Sequence, residues 1–159
     1  MTASYEQAGV SLAKAHDVVE RIRAAVDSTR GDRVVGGLGG FAGLFRLDDE
    51  RLLAATTDSV GTKLILARKA GRLREAGRDL AAHCVNDVVT TGAEPLFFLD
   101  YVAAGHLDLD EVAELVEGVA SVCREAGCAI LGGETAELPG IYREAVSYTH
   151  LTLPTTPYV

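Results

Sequence analysis

The stretch from Asp108 to Gly127 constrains the fold more than any other part of the chain. Leu109, Val112, Leu115, Val116, Val119 and Val122 recur at three- and four-residue intervals, the signature of a helix with one apolar stripe. Asp108 is placed to cap its N-terminus, Glu111 three residues on completes a capping-box-like pattern, and Gly127 closes it. Such a helix must lay its stripe on a second layer. Material for that layer flanks it: Leu96–Val102 reads as a strongly apolar, aromatic strand, and Ala129–Leu131 as another short one.

The rest of the chain supplies further elements. Leu12, Val18, Val19, Ile22 and Val26 predict a first helix ending near Thr29. Residues 34–45, VVGGLGGFAGLF, hold five glycines and predict a mobile or tightly turned loop. Leu52–Thr57 predicts a strand leading into Asp58. Helices are expected from Gly61 to about Ala70 and from Arg78 to about Thr91, the second with Leu80, Cys84, Val88 and Val89 inward. Gly92 stops it and Pro95 prevents its resumption. GGETAELPG, 132–140, is expected as a flexible loop after a strand. VSYTHLTLPTTPYV, after 145, carries no Asp, Glu, Lys or Arg and has no evident role in this pattern.

Composition narrows the function classes. A chain of 159 residues suits one domain with a core. A net charge of −8 with scattered basic residues argues against a nucleic-acid partner; Arg68, Lys69, Arg72 and Arg74 fit a solvated helix face. Apolar runs are too short to cross a bilayer, and Met1–Gln7 lacks the pattern of a signal peptide, so a cytoplasmic protein is expected. Cys84, Cys123 and Cys128 form no C-x-x-C pair, and His16, His83, His106 and His150 are not spaced as metal ligands. His83 and Cys84 are helix neighbours that point in different directions, which argues against a catalytic pair.

An acidic protein that handles phosphate must recruit a cation or focus local dipoles. Three loops could do so. In TTDSVGTK, 56–63, a strand delivers the Asp58 carboxylate to a sheet edge where magnesium could be held, Gly61 and Thr62 open a helix, and Lys63 adds positive charge. In isolation the same residues also fit an N-capping Asp beside a surface Lys, and the P-loop order is absent. In NDVVTTGAEP, 86–95, Asn86 and Asp87 sit in an apolar helix, where burial without a partner costs roughly 2–7 kcal/mol; they equally fit a water-facing position. In GGETAELPG, Glu134 and Glu137 follow a strand, or form an ordinary acidic turn. Together the loops offer four carboxylates, a lysine and repeated glycines, the needs of a magnesium–triphosphate site, with Gly36–Gly43 as a lid.

At these residues the chain resembles the N-terminal half of the phosphoribosylformylglycinamidine cyclo-ligase (aminoimidazole ribonucleotide synthetase) family. The resemblance spans Tyr5 to about Tyr142 and rests on YEQAGV (5–10), GGLGGFAGLF (36–45), DSVGTK (58–63), CVNDVVTTGAEPLFFLDY (84–101) and GGETAELPGIY (132–142). It departs at Ser59, Ser11 and Ala15, where the family usually has Gly, Asp and Gly. The resemblance implies an α+β fold, a mostly antiparallel sheet with helices packed on one side, whose strands pair across a homodimer. It implies an ATP- and Mg2+-dependent ligase of purine biosynthesis that closes formylglycinamidine ribonucleotide to aminoimidazole ribonucleotide. Asp58, Asp87 and Glu134 become the expected metal contacts, with Asp87 and Lys63 in catalysis. The nucleotide would touch Gly37, Gly39, Gly40, Asp58, Gly61, Thr62, Lys63, Asn86, Asp87, Gly133, Glu134, Thr135 and Glu137. Residues 1–142 would be the ATP-binding domain, 143–159 a tail outside it, and a second, C-terminal domain would be missing.

Two other readings compete. One is another superfamily member: formylglycinamidine synthetase, thiamine-phosphate kinase or selenophosphate synthetase, the last often using a reactive N-terminal Cys that this chain lacks. The other is a nucleotide-binding or dimerisation module that keeps the fold without the chemistry.

Overall fold

The computed structural model describes residues 5–142 and the backbone of 147–156. The chain divides into two compact units, 1–34 and 35–159. In the first, a turn at Tyr5–Val10 leads into α1 (Leu12–Asp27), which Ser11 caps by accepting from the Lys14 N–H. As expected, this helix ends close to Thr29, where the Ser28 and Thr29 N–H groups close its last turn. β1 (Val34–Val35) carries the chain into the second unit.

The second unit contains β2 (Gly43–Arg46), β3 (Leu52–Ser59), α2 (Lys63–Lys69), α3 (Leu73–Val89), β4 (Glu94–Pro95), β5 (Phe97–Ala104), α4 (Leu109–Ala126), β6 (Ala129–Glu137) and β7 (Ser147–Thr156). The strands run in the order β2-β3-β7-β5-β6, with β4 also pairing β7. Every pairing in that path is antiparallel except β5 with β6. The sheet is mostly antiparallel, and α3 and α4 cover one face, so the α+β expectation holds.

The core forms between that face and the helices. Phe98 on β5 and Ala54 on β3 meet Leu80, Cys84 and Val88 of α3 and Leu115, Val119 and Cys123 of α4. Complete burial of side chains such as Phe98 and Leu80 stabilises by about 1.5–3 kcal/mol each. α4 is capped as its sequence predicts: Asp108 Oδ1 accepts from the Asp110 and Glu111 N–H groups, and Gly127 takes a left-handed φ of 72°. Its buried line is Leu115, Gly118, Val119 and Cys123, whereas Leu109 is exposed.

The two helices cross with their backbones close together. A Cβ built on Gly77 would sit 3.2 Å from the Val119 nitrogen, and one on Gly118 would sit 3.0 Å from the Arg78 nitrogen, with carbonyl oxygens nearer still. α3 starts at Leu73 rather than near Arg78, so Gly77 falls inside it. Gly77 is a poor helix former, yet here it is the contact that admits α4. Ion pairs from Arg74 to Glu117 and from Arg78 to Glu125 (3.0 Å) flank the crossing, and Arg68 on α2 pairs with Glu111 at 2.7 Å.

Two other segments differ from expectation. GGETAELPG is not a loop up to Glu137: β6 runs through it, because parallel pairing with β5 gives the glycine backbone regular partners. Gly133 is required there, since a Cβ would strike Asp100. Residues 147–156, which had no evident role, form β7 between β3 and β5. Their threonines and aromatic residue suit an extended strand. Residues 143–146 and 157–159 lie outside the described ones.

Candidate functional site

Three of the expected site segments converge on one face of α3. β3 alternates its side chains, and Ala54, Thr56 and Asp58 share the face toward α3. Thr56, nearly buried, places its hydroxyl 2.7 Å from the Phe41 carbonyl oxygen and 3.0 Å from Asp87 Oδ2. One hydroxyl thereby ties together the glycine loop, β3 and α3. Gly36 and Gly39 of that loop have φ of 80° and 112°, and nothing lies within 4 Å of a Cβ built on Gly37 or Gly39. Gly40 is tighter, 3.3 Å from the Ala42 oxygen.

Asp58 accepts from the Ser59 N–H at 2.7 Å, and its Oδ2 lies 3.8 Å from His83 Nδ1. Lys63 Nζ pairs with Asp79 Oδ2 at 3.2 Å and lies 3.4 Å from His83 Nε2. Cys84 is packed beneath this array. Burial, and then the Asp58 charge, push its thiol up to about 12, with the Asp87 charge adding to the rise. Both carboxylates therefore bear on one buried atom.

α2 contributes less than expected as a dipole. It has seven residues, and the Leu64 and Ile65 N–H groups already donate to the Gly61 and Thr62 carbonyls. Gly61 has a φ of 68° and Thr62 makes no capping bond through its side chain. The positive charge at this corner is that of Lys63.

The β6 residues fall elsewhere. The register runs Asp58, Leu151, Asp100, Gly133 across the sheet, and Ser59, His150, Tyr101, Glu134 in the adjacent row. Glu134 is thus three strand spacings from β3, about 14 Å, and on the sheet face opposite Asp58. Among the described residues no three His, Cys, Asp or Glu side chains form a group able to hold a metal ion. Asp58, Asp87 and Glu134 are not brought together as one ligand set. Thr135 pairs with Val102, and Glu137 with Ala104. Glu137 Oε1 accepts from the Leu107 N–H at 3.0 Å and faces His106 Nδ1 at 3.2 Å, and these two partners hold its carboxyl below the usual range. Asn86 is exposed on α3, and its carbonyl accepts from the Thr90 N–H.

Magnesium favours one or two carboxylates, with phosphate oxygens and water completing its shell; Asp58 and Asp87 are the two carboxylates whose charges act on Cys84. Thr56, Asp79 and His83 are members of this site that the sequence motifs do not mark. The signal for two of them was present: Asp79, His83 and Asp87 repeat every four residues, one line along a helix.

Residues 39–152 match the family model "AIR synthase related protein, N-terminal domain". A phosphoribosylformylglycinamidine cyclo-ligase from Synechococcus sp. (strain RCC307) is 55% identical over 141 residues, 87% of this chain and 41% of that protein. The chain therefore spans about two-fifths of the length of the curated relatives it matches. Among solved structures, PurLQS from Thermotoga maritima superposes with a TM-score of 0.73 at 15% identity, over 88% of this chain and 24% of that one. T. maritima PurL complexed with ATP superposes at 0.62 and 17% identity, over 86% and 23%. Among the described residues no helix is long and apolar enough to cross a membrane. The chain belongs to the AIR synthase related family, whose N-terminal domain it carries.

Proposed function

We propose that this domain binds ATP with magnesium along α3 and serves the ATP-dependent closure of formylglycinamidine ribonucleotide to aminoimidazole ribonucleotide. The carrying observation is the convergence on α3 of Lys63, Asp58 and, through Thr56 and Asp87, the glycine loop. The 55% identity to a named cyclo-ligase favours this reaction over those of the other superfamily members, whose likeness to this chain is one of fold.

In this reading ATP phosphorylates the formamide oxygen, the amidine nitrogen attacks the same carbon, and phosphate departs. Lys63 would lie against the phosphates, and Asp58 and Asp87 would hold the magnesium. Bound there, the ion would neutralise charge on the transferring phosphoryl group. Gly37, Gly39 and Gly40 let backbone approach the nucleotide closely, while Gly61 and Thr62 turn the chain so that Lys63 faces inward. Asp87 also orients the loop through Thr56. Gly133, Thr135 and Glu137, on β6, share the sheet side of Asp58 and would serve the end of the ligands away from it, whereas Glu134 faces the other side and has no part in this site. Asn86, exposed beside Asp87, is a further nucleotide contact. Every one of these residues lies within 1–142, and β7, beyond them, completes the sheet that carries them.

A homodimer is supported by the sheet face turned away from the helices, where Leu53, Phe45 and Leu99 share one side and the last two are exposed. A cytoplasmic setting follows from the nucleotide substrates of the reaction. The test is turnover of ATP and formylglycinamidine ribonucleotide by the protein that carries this chain. ADP together with an aminoimidazole product is expected. ATP binding without either product would favour the binding-module reading.

A further inference from the structure

α3 buries one side against the sheet and α4, and along another line Asp79, His83 and Asp87 stand one above the other. Each of the three meets a different part of the candidate site. Asp79 pairs with Lys63, Asp87 reaches Thr56, and His83 lies between Lys63 and Asp58 at 3.4 and 3.8 Å. We propose that His83 is a positioning residue for the nucleotide site, a spacer that keeps the Lys63 ammonium and the Asp58 carboxylate apart and fixed. The proposal rests on the reading given under Proposed function and adds a residue to it.

A lysine and an aspartate close together in a half-exposed corner tend to pair directly, and a direct Lys63–Asp58 pair would occupy the carboxylate that a cation needs. An imidazole between them prevents this. The ammonium only donates, so Nε2 serves as acceptor at 3.4 Å and the ring proton belongs on Nδ1, where the Asp58 carboxylate 3.8 Å away favours it by charge rather than by a hydrogen bond. The two neighbours thus select one tautomer and one ring orientation. Asp79, one turn earlier, holds Lys63 from its other side. The His83 side chain is 46% exposed, so replacing it does not hollow the core.

The test uses the chain itself in two measurements. Long-range proton–nitrogen NMR on the nucleotide-free protein at about pH 8, above the ordinary histidine range, should show His83 with its proton on Nδ1. Lys63→Met should relax that preference toward a mixture. Calorimetry with magnesium-ATP should then show His83→Phe weakening binding about fivefold, the loss of one hydrogen-bonded contact. His83→Gln, whose amide both accepts and donates, should recover most of it. Equal tautomers in the wild-type protein, or unchanged affinity in a folded His83→Phe variant, would overturn the proposal. If the tautomer is fixed but the wild-type protein takes up no ATP, the nucleotide reading fails instead. The spacer would then stand as a structural link only. Should His83→Phe fail to fold, the wild-type tautomer and the Gln variant still decide the matter.

Discussion

Replacing Gly118 by alanine is a direct probe of how the fold holds the site. In an isolated helix the change should stabilise by about 1 kcal/mol, the propensity difference between the two residues. Here the new Cβ would lie 2.9 Å from the Arg74 carbonyl carbon and 3.0 Å from the Arg78 nitrogen, with the Arg74 oxygen nearer still. These are backbone atoms, so relief requires α3 and α4 to move apart. Such overpacking costs about 1–3 kcal/mol, occasionally more, which outweighs the propensity gain. Urea unfolding followed by circular dichroism should therefore give Gly118→Ala a lower midpoint at unchanged slope. Gly77→Ala should behave alike, and the double variant should lose less than the sum, because one separation of the helices relieves both clashes. The separation would also shift Asp79, His83 and Asp87, so nucleotide affinity should fall with stability. A raised midpoint would refute the close crossing and the placement of α3 that depends on it.

Three further outcomes follow from the site and the core beneath it. Thr56→Val keeps the shape but leaves the Phe41 carbonyl and Asp87 without their shared donor; a loss of about 1–3 kcal/mol in urea unfolding is expected, and an unchanged midpoint would contradict the link. Burial pushes the Cys84 and Cys123 thiols up to about 12, from an ordinary 9.0, so alkylation of the native protein near neutral pH should be far slower than in urea. The same shift has a sign in stability. The unfolded thiols ionise first, so stability should fall as pH rises from 9.0 towards about 12, and a urea midpoint that climbs over that window would contradict their burial.

Much of the fold was legible. Asp108, Glu111 and Gly127 mark the ends of α4, because caps are local chemistry. The start of α3 and the length of β6 were not, because Gly77 and Gly133 break local rules for the sake of partners far along the chain. β7 was illegible for a related reason: its neutral, threonine-rich sequence has no period that singles out a place between β3 and β5. For the site, Asp58, Lys63 and Asp87 stood out as charges at element ends, and they do gather on α3. Glu134 also stood out, yet strand register, which no local pattern reveals, sets it on the opposite face. Thr56 escaped notice because its partners lie 15 and 31 residues away in sequence.

Binding of ATP along α3 through magnesium held by Asp58 and Asp87 is tested by calorimetric titration of ATP into the chain, with and without magnesium. Binding that requires magnesium, and that Asp58→Asn and Asp87→Asn each weaken by at least about tenfold, is predicted. Equal affinity without magnesium, or in both variants, would contradict it.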